Sequence, residues 1–311
     1  MPAKTSCPSC LSIEGSYWTR VLDGKPGEKL TDVELLKRAL RRPPVITLMY
    51  AILCLIFFYA AGGSYNSWST ESAHVACWDT DQCTKFEPPC WKHCQLERWY
   101  TPLTASFMHL NVGHVWVNFF TLVAVGGFLE ISEGPRHMLV TCFGSSLVGF
   151  GFHGILAYSR ARGASAAIYG VMWAQVATLA LNWHEMSGRC LRTTVLVLMF
   201  AAESAFLVAT GASGIAWQAH MAGGIAGCCI TLVAAENVVW MRHELWLNLL
   251  GLVGYLSLVV VILASGQFVC GGLAAIVVPE LLVETVWNFR KSSAHGDRVA
   301  ASPAKVQPSP S

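Results

Sequence analysis

Two residues far apart in the chain, Ser165 and His220, have the side chains that hydrolytic chemistry uses. A serine hydroxyl becomes a good nucleophile when a neighbouring base accepts its proton, and histidine is the usual base because it titrates near neutrality. Both residues lie among small residues, in the strings Gly163-x-Ser165 and His220-x-x-Gly223. A Ser–His pair at close range can catalyse acyl transfer, and no aspartate is required because such dyads recur on several folds.

A second pair, His114 and Asn118, is spaced for one face of a helix, because residues four apart lie one turn from each other. Acyl transfer needs hydrogen-bond donors aimed at the oxyanion that forms on the attacked carbonyl. Both side chains can donate. The free N–H groups at the start of a helix that begins near Ser165 would add further donors, helped by the positive end of the helix dipole.

The composition predicts a membrane protein. Of 311 residues, 54% are hydrophobic and 13% are charged, whereas soluble domains have about 25% charged residues. The apolar residues come in blocks long enough to cross a bilayer, which excludes the soluble globular class. A net charge of +2, without a basic patch interleaved with aromatic residues, indicates that nucleic acid is not a partner.

The apolar blocks predict an all-α polytopic fold in which residues 44–287 form the membrane domain. The last block has a turn-like sequence at residues 265–267, so two spans are preferred there over one span plus an interfacial segment. Residues 1–43 predict a polar cytosolic head, and residues 288–311, rich in Ser, Pro, Ala and charge, predict a disordered tail. The blocks lie near residues 45–62, 112–131, 137–158, 164–183, 193–210, 216–235 and 245–287.

Positive charge sets the predicted orientation. Four basic residues between positions 37 and 42 precede the first block and place the N-terminus in the cytosol. Loop 63–111 then faces the lumen or the exterior, in the secretory pathway or at the plasma membrane. The second, fourth and sixth blocks start at that side, so His114, Ser165 and His220 are expected at the same depth, in the lumenal leaflet.

Glycines are expected to bring two of these helices together. Gly223 and Gly227 form a small-x-x-x-small pair on nearly the same face as His220, which lets a neighbouring backbone approach closely. Gly170 and the alanines after Ser165 supply small residues on the fourth block. A close crossing of the fourth and sixth helices would place the hydroxyl and the imidazole within hydrogen-bond reach.

Four of the twelve cysteines cluster in the predicted lumenal loop. An oxidising compartment favours two disulfides there, with the connectivity undetermined. A zinc site is the alternative, but the spacing fits no common finger pattern. No metal or cofactor is predicted. The four residues are Cys77, Cys83, Cys90 and Cys94.

Structural interpretations compete with the catalytic one. A serine in a membrane helix usually bonds its own i−4 carbonyl, and a lone His220 could be a paired core histidine. Ser213, in a Gly-Ala-Ser-Gly string, is an alternative nucleophile, but no helix is predicted to begin at it. The coincidence of Ser165, His220 and a His-x-x-x-Asn string at one depth favours catalysis.

Over residues 97–240 the sequence resembles the rhomboid family of intramembrane serine proteases. The resemblance lies in the order of four short strings and in their placement on alternate spans. They are His114-x-x-x-Asn118; Leu129-Glu130 followed by Gly134 and Arg136; Gly163-x-Ser165 followed by Gly170; and His220-x-x-Gly223-x-x-x-Gly227.

This resemblance implies a six-helix core with extra C-terminal transmembrane sequence, as in the eukaryotic secretory-pathway branch. It also implies that Ser165 is the nucleophile and His220 the base, with oxyanion support from His114, Asn118 and the backbone from Gly163 to the serine. The implied substrates are single-span transmembrane proteins, cut near the lumenal end of the helix where small or helix-breaking residues loosen it. Unwinding must precede attack on a helical carbonyl.

The sequence departs from the family at two places. Ala166 stands where the family has glycine after the nucleophile, and Trp99-Tyr100 stands where the family has Trp-Arg. These departures motivate a second hypothesis, a catalytically inactive rhomboid-like protein that binds membrane clients for trafficking or degradation. A transporter or channel is the third hypothesis, disfavoured because no inverted repeat is visible and the polar residues gather at one leaflet rather than the midplane.

Overall fold

The computed structural model describes residues 43–60, 101–156, 161–183, 189–210, 215–235, 242–266 and 268–301. Within these ranges, every regular element is an α-helix. A single helical turn, Thr101–Thr104, precedes the second long helix. The others are α1 (Val45–Ala60), α2 (Val112–Glu133), α3 (Pro135–Leu156), α4 (Ser165–Leu181), α5 (Arg189–Thr210), α6 (Trp217–Ala234), α7 (Arg242–Ala264), α8 (Phe268–Ala275) and α9 (Val278–Ala301).

The helices have the length and composition of membrane spans, which confirms the prediction of an all-α multi-pass membrane protein. Five helical stretches in the described part of the chain are long and apolar enough to cross a bilayer. They are Val112–Glu133, Pro135–Leu156, Trp217–Ala234, Leu245–Ala264 and Gly271–Phe289. Two shorter apolar helices, α1 and α4, complete the set, and α4 is buried along most of its length.

The centre of the bundle is formed by α3, α4 and α6, which pack against one another. On one side, α1 and α2 cover α4 through a core that includes Tyr50, Leu122 and Met172. On the other side, α7, α8 and α9 lie against α3 and α6, with Tyr255 and Ile230 in a second core. α5 packs against α4. The central helices therefore have little lipid contact and are fixed from both sides.

A buried carboxylate attaches α1 to α2. The Glu130 side chain, 6% exposed, accepts hydrogen bonds from the backbone N–H groups of Ile46 (2.9 Å) and Thr47 (2.7 Å). The Thr47 hydroxyl donates to it as well, at 2.7 Å. The first N–H groups of a helix have no partner within the helix, and the positive end of the helix dipole attracts an anion. Glu130 thus caps α1 from a neighbouring span.

The C-terminal block folds as two apolar stretches separated by a turn. The turn predicted at residues 265–267 is present at Ser265 and Gly266, where Gly266 has a φ of +84°. A second break, at Ile276 and Val277, divides the following stretch into α8 and α9. Pro279 lies in the first turn of α9, where a missing N–H costs nothing. The fold therefore has extra C-terminal transmembrane sequence beyond its central core.

The boundary predicted for the disordered tail, residue 288, is too early. α9 continues to Ala301, and Asn288 is buried with its amide donating to the Val233 carbonyl at 2.9 Å. Arg136 pairs with Glu280 and lies 3.7 Å from Glu284, which accounts for two acids in an apolar stretch. Composition alone predicted a disordered tail, because the residue types of a segment do not show which partners its polar side chains have in the fold. Residues 302–311, the head to residue 42, and the part of loop 63–111 that contains its four cysteines lie outside the described residues.

The Glu130 cap should be needed for stability. Glu130→Gln places an amide NH₂ group against a backbone donor, so we expect it to lower the free energy of unfolding by about 2 kcal/mol, as for other hydrogen bonds to charged groups. Thr47→Val removes the hydroxyl alone and should cost less. Thermal unfolding in detergent, followed by intrinsic fluorescence, measures both. Equal stability of wild type and Glu130→Gln would contradict a capping role.

Candidate active site

Ser165 and His220 lie side by side, although 55 residues separate them in the chain. His220 Nε2 is 2.8 Å from Ser165 Oγ, a hydrogen-bond distance. Ser165 is the first residue of α4 and His220 is in the first turn of α6, so both groups lie near helix ends. His220 is 8% exposed and Ser165 is half-buried. The imidazole can therefore accept the hydroxyl proton.

The pair meets because α4 and α6 cross without intervening side chains. A Cβ placed on Gly223 would lie 2.5 Å from the Ala166 carbonyl oxygen, and one on Gly227 would overlap the backbone of Gly170. A Cβ on Gly170 would in turn overlap the Ser145 hydroxyl of α3. The three glycines predicted to allow close packing therefore each face a neighbouring backbone or a buried side chain where α4 and α6 cross. They are Gly170, Gly223 and Gly227.

Two further side chains surround His220. The Tyr169 ring stacks on the imidazole, with centroids 4.4 Å apart and planes 18° from parallel. Glu203 of α5 places a carboxylate oxygen 3.9 Å from His220 Nδ1 and interacts electrostatically with the Tyr169 hydroxyl. The sequence analysis missed Glu203. The sequence does contain a signal for this residue, because Glu203 is the single acidic residue in the apolar block 193–210.

Two residues before Ser165, Gly163 lies against the side chains of His114 and Asn118. Gly163 has a φ of +121°, and a Cβ there would come within 2.9 Å of the His114 ring and 3.5 Å of Asn118 Nδ2. Asn111 fixes the start of α2 by accepting the His114 backbone N–H at 2.8 Å. Asn118 Nδ2 is buried and has no hydrogen-bond partner among the described residues. It is a free donor beside Gly163, two residues before the serine in the chain.

His109, which the sequence analysis also missed, holds the segment before Ser165. Its Nδ1 lies 3.1 Å from the Phe107 carbonyl oxygen, and its Nε2 accepts the Ala164 N–H at 3.5 Å. Nδ1 therefore carries the proton and donates it to the carbonyl. Burial, together with the neighbouring His114, lowers the pKa of His109 to about 3, so the ring stays neutral. Gly163 N–H also bonds the Ala105 carbonyl at 2.9 Å.

Ala166, the residue after the serine, is fully enclosed at 1% exposure. Its methyl group faces Gly149 of α3, where an added Cβ would lie 2.9 Å from the Ala166 Cβ and 2.7 Å from the Ala219 carbonyl oxygen. The alanine therefore occupies space that a side chain at position 149 would fill. The backbone at Ser165 is accommodated without displacing α6.

Some predicted features lie outside the described residues, namely Tyr100, Ser213 and the four loop cysteines. The described Cys54, Cys142, Cys190, Cys228 and Cys229 are free thiols. Among the residues with described positions, no three His, Cys, Asp or Glu side chains group as a metal site would require. The chemistry of the site therefore has to be argued from the serine, the imidazoles, the carboxylate and the amide.

Comparison with known proteins identifies a domain that contains these residues. Residues 96–237, which include His114, Ser165 and His220, match the family model for the rhomboid domain. The chain contains a rhomboid domain. The rhomboid domain spans α2 to α6 and therefore contains both helices of the central crossing.

Its relatives include proteins named as proteases and one named as inactive. Rhomboid-related protein 1 of Caenorhabditis elegans is 25% identical over 65% of this chain and 58% of its own length. Rhomboid-like protease 2 of Toxoplasma gondii is 27% identical over 32% of this chain and 37% of its own. Inactive RHOMBOID-like protein 8 of Arabidopsis thaliana is 25% identical over 32% of this chain and 28% of its own length. The matches cover less than two thirds of these relatives.

The helix crossing should be intolerant of added volume. In Gly227→Ala, the new methyl group collides with the Gly170 backbone, so we expect α6 to shift and destabilisation of about 1–3 kcal/mol. Gly272→Ala is the matched control, because a Cβ there meets nothing within 4 Å. Thermal unfolding in detergent should show a lower transition temperature for Gly227→Ala alone. Equal transition temperatures for the two variants would contradict a tight crossing.

Proposed function

We propose that the protein is an intramembrane serine endopeptidase that cleaves single-span membrane proteins with Ser165 and His220. The observation that supports this most is the 2.8 Å contact between His220 Nε2 and Ser165 Oγ. An imidazole at this distance can remove the hydroxyl proton as the oxygen attacks a peptide carbonyl. The same imidazolium then protonates the leaving amine. An acyl-enzyme remains, and water hydrolyses it with His220 again acting as base.

The negative charge that develops on the attacked carbonyl oxygen needs donors. α4 begins at Ser165, so its first N–H groups are not used within the helix and lie at the positive end of the dipole. Asn118 Nδ2 is a buried donor without a partner in the described structure, and it lies next to Gly163, two residues before the serine in the chain. His114 lies beside it. These groups together would stabilise the oxyanion.

The position of the pair within an apolar helix bundle supports a transmembrane substrate. Both residues lie within a turn of the ends of α4 and α6, so a substrate helix would have to unwind near one membrane face before its backbone reached the serine. The basic residues before α1 place that face on the lumenal or extracellular side. Hydrolysis would require water to reach the pair from the same side. This assigns the enzyme to the secretory pathway or the plasma membrane.

One similar protein and two residues of this chain favour a second function. One relative is named as an inactive rhomboid-like protein, and Ala166 and Tyr100 depart from the family pattern. Such a protein would bind membrane clients for trafficking or degradation without cutting them. The packing of Ala166 against Gly149 argues against this alternative, because the methyl group fits without separating Ser165 from His220.

The proposal is tested by reconstituting the full-length protein in liposomes with a model single-span substrate. Wild type should cleave it, whereas Ser165→Ala and His220→Ala should each reduce kcat at least about a thousandfold, as loss of a nucleophile or its base does. Ser213→Ala is the matched serine control and should cleave at the wild-type rate. Substrate that binds equally to all four proteins but is cleaved by none would instead support the client-binding function.

A further inference from the structure

We propose that a cavity at the membrane face opposite the Ser–His pair binds the headgroup of an ethanolamine phospholipid. The cavity lies between the α2–α3 connection, the end of α6 and α9, and its volume is about 650 Å³. Small-molecule sites usually have volumes of about 300–1,000 Å³. The proposal goes beyond the peptidase function, because it holds whether or not the protein cuts a substrate.

The cavity lies one membrane span away from the Ser–His pair. α2 has His114 in its first turn, beside Gly163, and ends at Glu133, which lines the cavity. Under the orientation proposed from the basic residues before α1, this face is cytosolic. Trp287 also lines the cavity and is exposed, and tryptophan is typical of the boundary between lipid and water. A ligand at this depth would be in contact with both phases.

One wall of the cavity is apolar and open to the bilayer. Leu282, Val283 and Val286 of α9 line it, and all three are exposed in a helical stretch apolar enough to cross a membrane. Exposed apolar side chains of a membrane span lie against acyl chains. A ligand with acyl chains would cover this wall, whereas a soluble molecule would leave it uncovered. The wall therefore favours a lipid.

The opposite wall is charged and contains more acid than base. Its charged side chains among the described residues are three carboxylates and one guanidinium. Even when Arg192, which interacts electrostatically with Glu133, is counted, the acids outnumber the bases. Arg136 pairs with Glu280, lies 3.7 Å from Glu284 and is 66% exposed. A guanidinium has five N–H donors, so Arg136 can bind a phosphate oxygen while it keeps this pair. Both signs of charge on the wall match a zwitterionic headgroup, and the excess of carboxylate disfavours an anionic one.

Two buried side chains that line the cavity add further hydrogen-bond acceptors. His137 Nε2 lies 3.0 Å from the Thr231 hydroxyl, and His137 Nδ1 is buried without a hydrogen-bond partner among the described residues. In the tautomer whose Nε2 donates to Thr231, Nδ1 is an acceptor. Asn288 donates its amide NH₂ group to the Val233 carbonyl, which leaves its own oxygen as an acceptor.

This excess of acceptors distinguishes between the two common zwitterionic headgroups. An ethanolamine ammonium has three N–H donors, whereas the quaternary ammonium of choline has none. Hydrogen bonds from an ammonium to carboxylates are among the stronger ones in proteins. The cavity is therefore suited to an ethanolamine whose ammonium faces the glutamates and whose phosphate faces Arg136.

The test reconstitutes the full-length protein in vesicles with equal amounts of dioleoyl phosphatidylethanolamine, phosphatidylcholine and phosphatidylglycerol. Native mass spectrometry after transfer to a mild detergent measures the lipid that each protein retains. We expect wild type to retain phosphatidylethanolamine about tenfold over phosphatidylcholine, as one additional charge-assisted hydrogen bond predicts, and phosphatidylglycerol least. Equal retention of the three lipids, preference for phosphatidylglycerol or no retained lipid would overturn the proposal.

Two variants of the charged wall test the two ends of the headgroup. Glu284→Gln keeps the shape of the side chain and leaves the Arg136–Glu280 pair in place, so we expect the preference for ethanolamine over choline to fall to about threefold or less. Arg136→Gln should lower the retention of both lipids, because both contain phosphate. Glu203→Gln is the matched control, since it makes the same change on α5 outside the cavity, and it should keep the wild-type preference. An unchanged preference in Glu284→Gln would contradict the proposal.

A soluble headgroup separates a lipid site from a site for the headgroup alone. Glycerophosphoethanolamine has the same amine and phosphate but no acyl chains, so an equimolar amount should leave the bound phosphatidylethanolamine in place. Displacement of the lipid at that concentration would overturn the assignment to a lipid. Ser165→Ala should retain lipid as wild type does, so its loss of cleavage and the lipid preference report on the two proposals separately.

Discussion

The contact between the α4 and α6 backbones is the constraint on which the rest of the site depends. Gly223 and Gly227 leave α6 without side chains where it meets Ala166 and Gly170 of α4. In a bilayer there is no hydrophobic force to press helices together, so close packing of small residues has to fix the distance. That distance places an imidazole at hydrogen-bond range from a hydroxyl that leads a different helix. The other helices surround this crossing and hold it.

Polar groups inside the bundle have specific partners supplied by neighbouring helices. Glu130 accepts the N-terminal amides of α1, and His109 joins the segment before Ser165 to the segment before α2. Asn288 and Asn248 both donate to the Val233 carbonyl at the other end of α6. Because lipid supplies no replacement donors or acceptors, each of these contacts ties one span to the next. Asn118 is among the buried polar groups that lack a hydrogen-bond partner in the described structure, and its amide lies next to Gly163.

The sequence predicted the elements that depend on local spacing. The apolar blocks, the His114–Asn118 spacing and the small residues beside Ser165 and His220 could each be identified from composition and helical periodicity. The approach of Ser165 to His220 could also be anticipated, because alternate spans begin at the same face. Contacts between helices that are distant in the chain could not be anticipated. Glu203 lies on a helix whose rotation about its own axis is not encoded in hydropathy, and the pairing of Arg136 with Glu280 joins segments far apart in the chain. The same limitation made α9 resemble a disordered tail after residue 288.

The most direct measurement of the central claim is the site of covalent modification by a fluorophosphonate, which reacts with serines that a neighbouring base has activated. The full-length protein would be labelled in liposomes, digested and read by peptide mass spectrometry. The geometry predicts an adduct on Ser165 in the wild-type protein and its absence in His220→Ala. An adduct on Ser213, or labelling of Ser165 that is unchanged when the imidazole is removed, would contradict it.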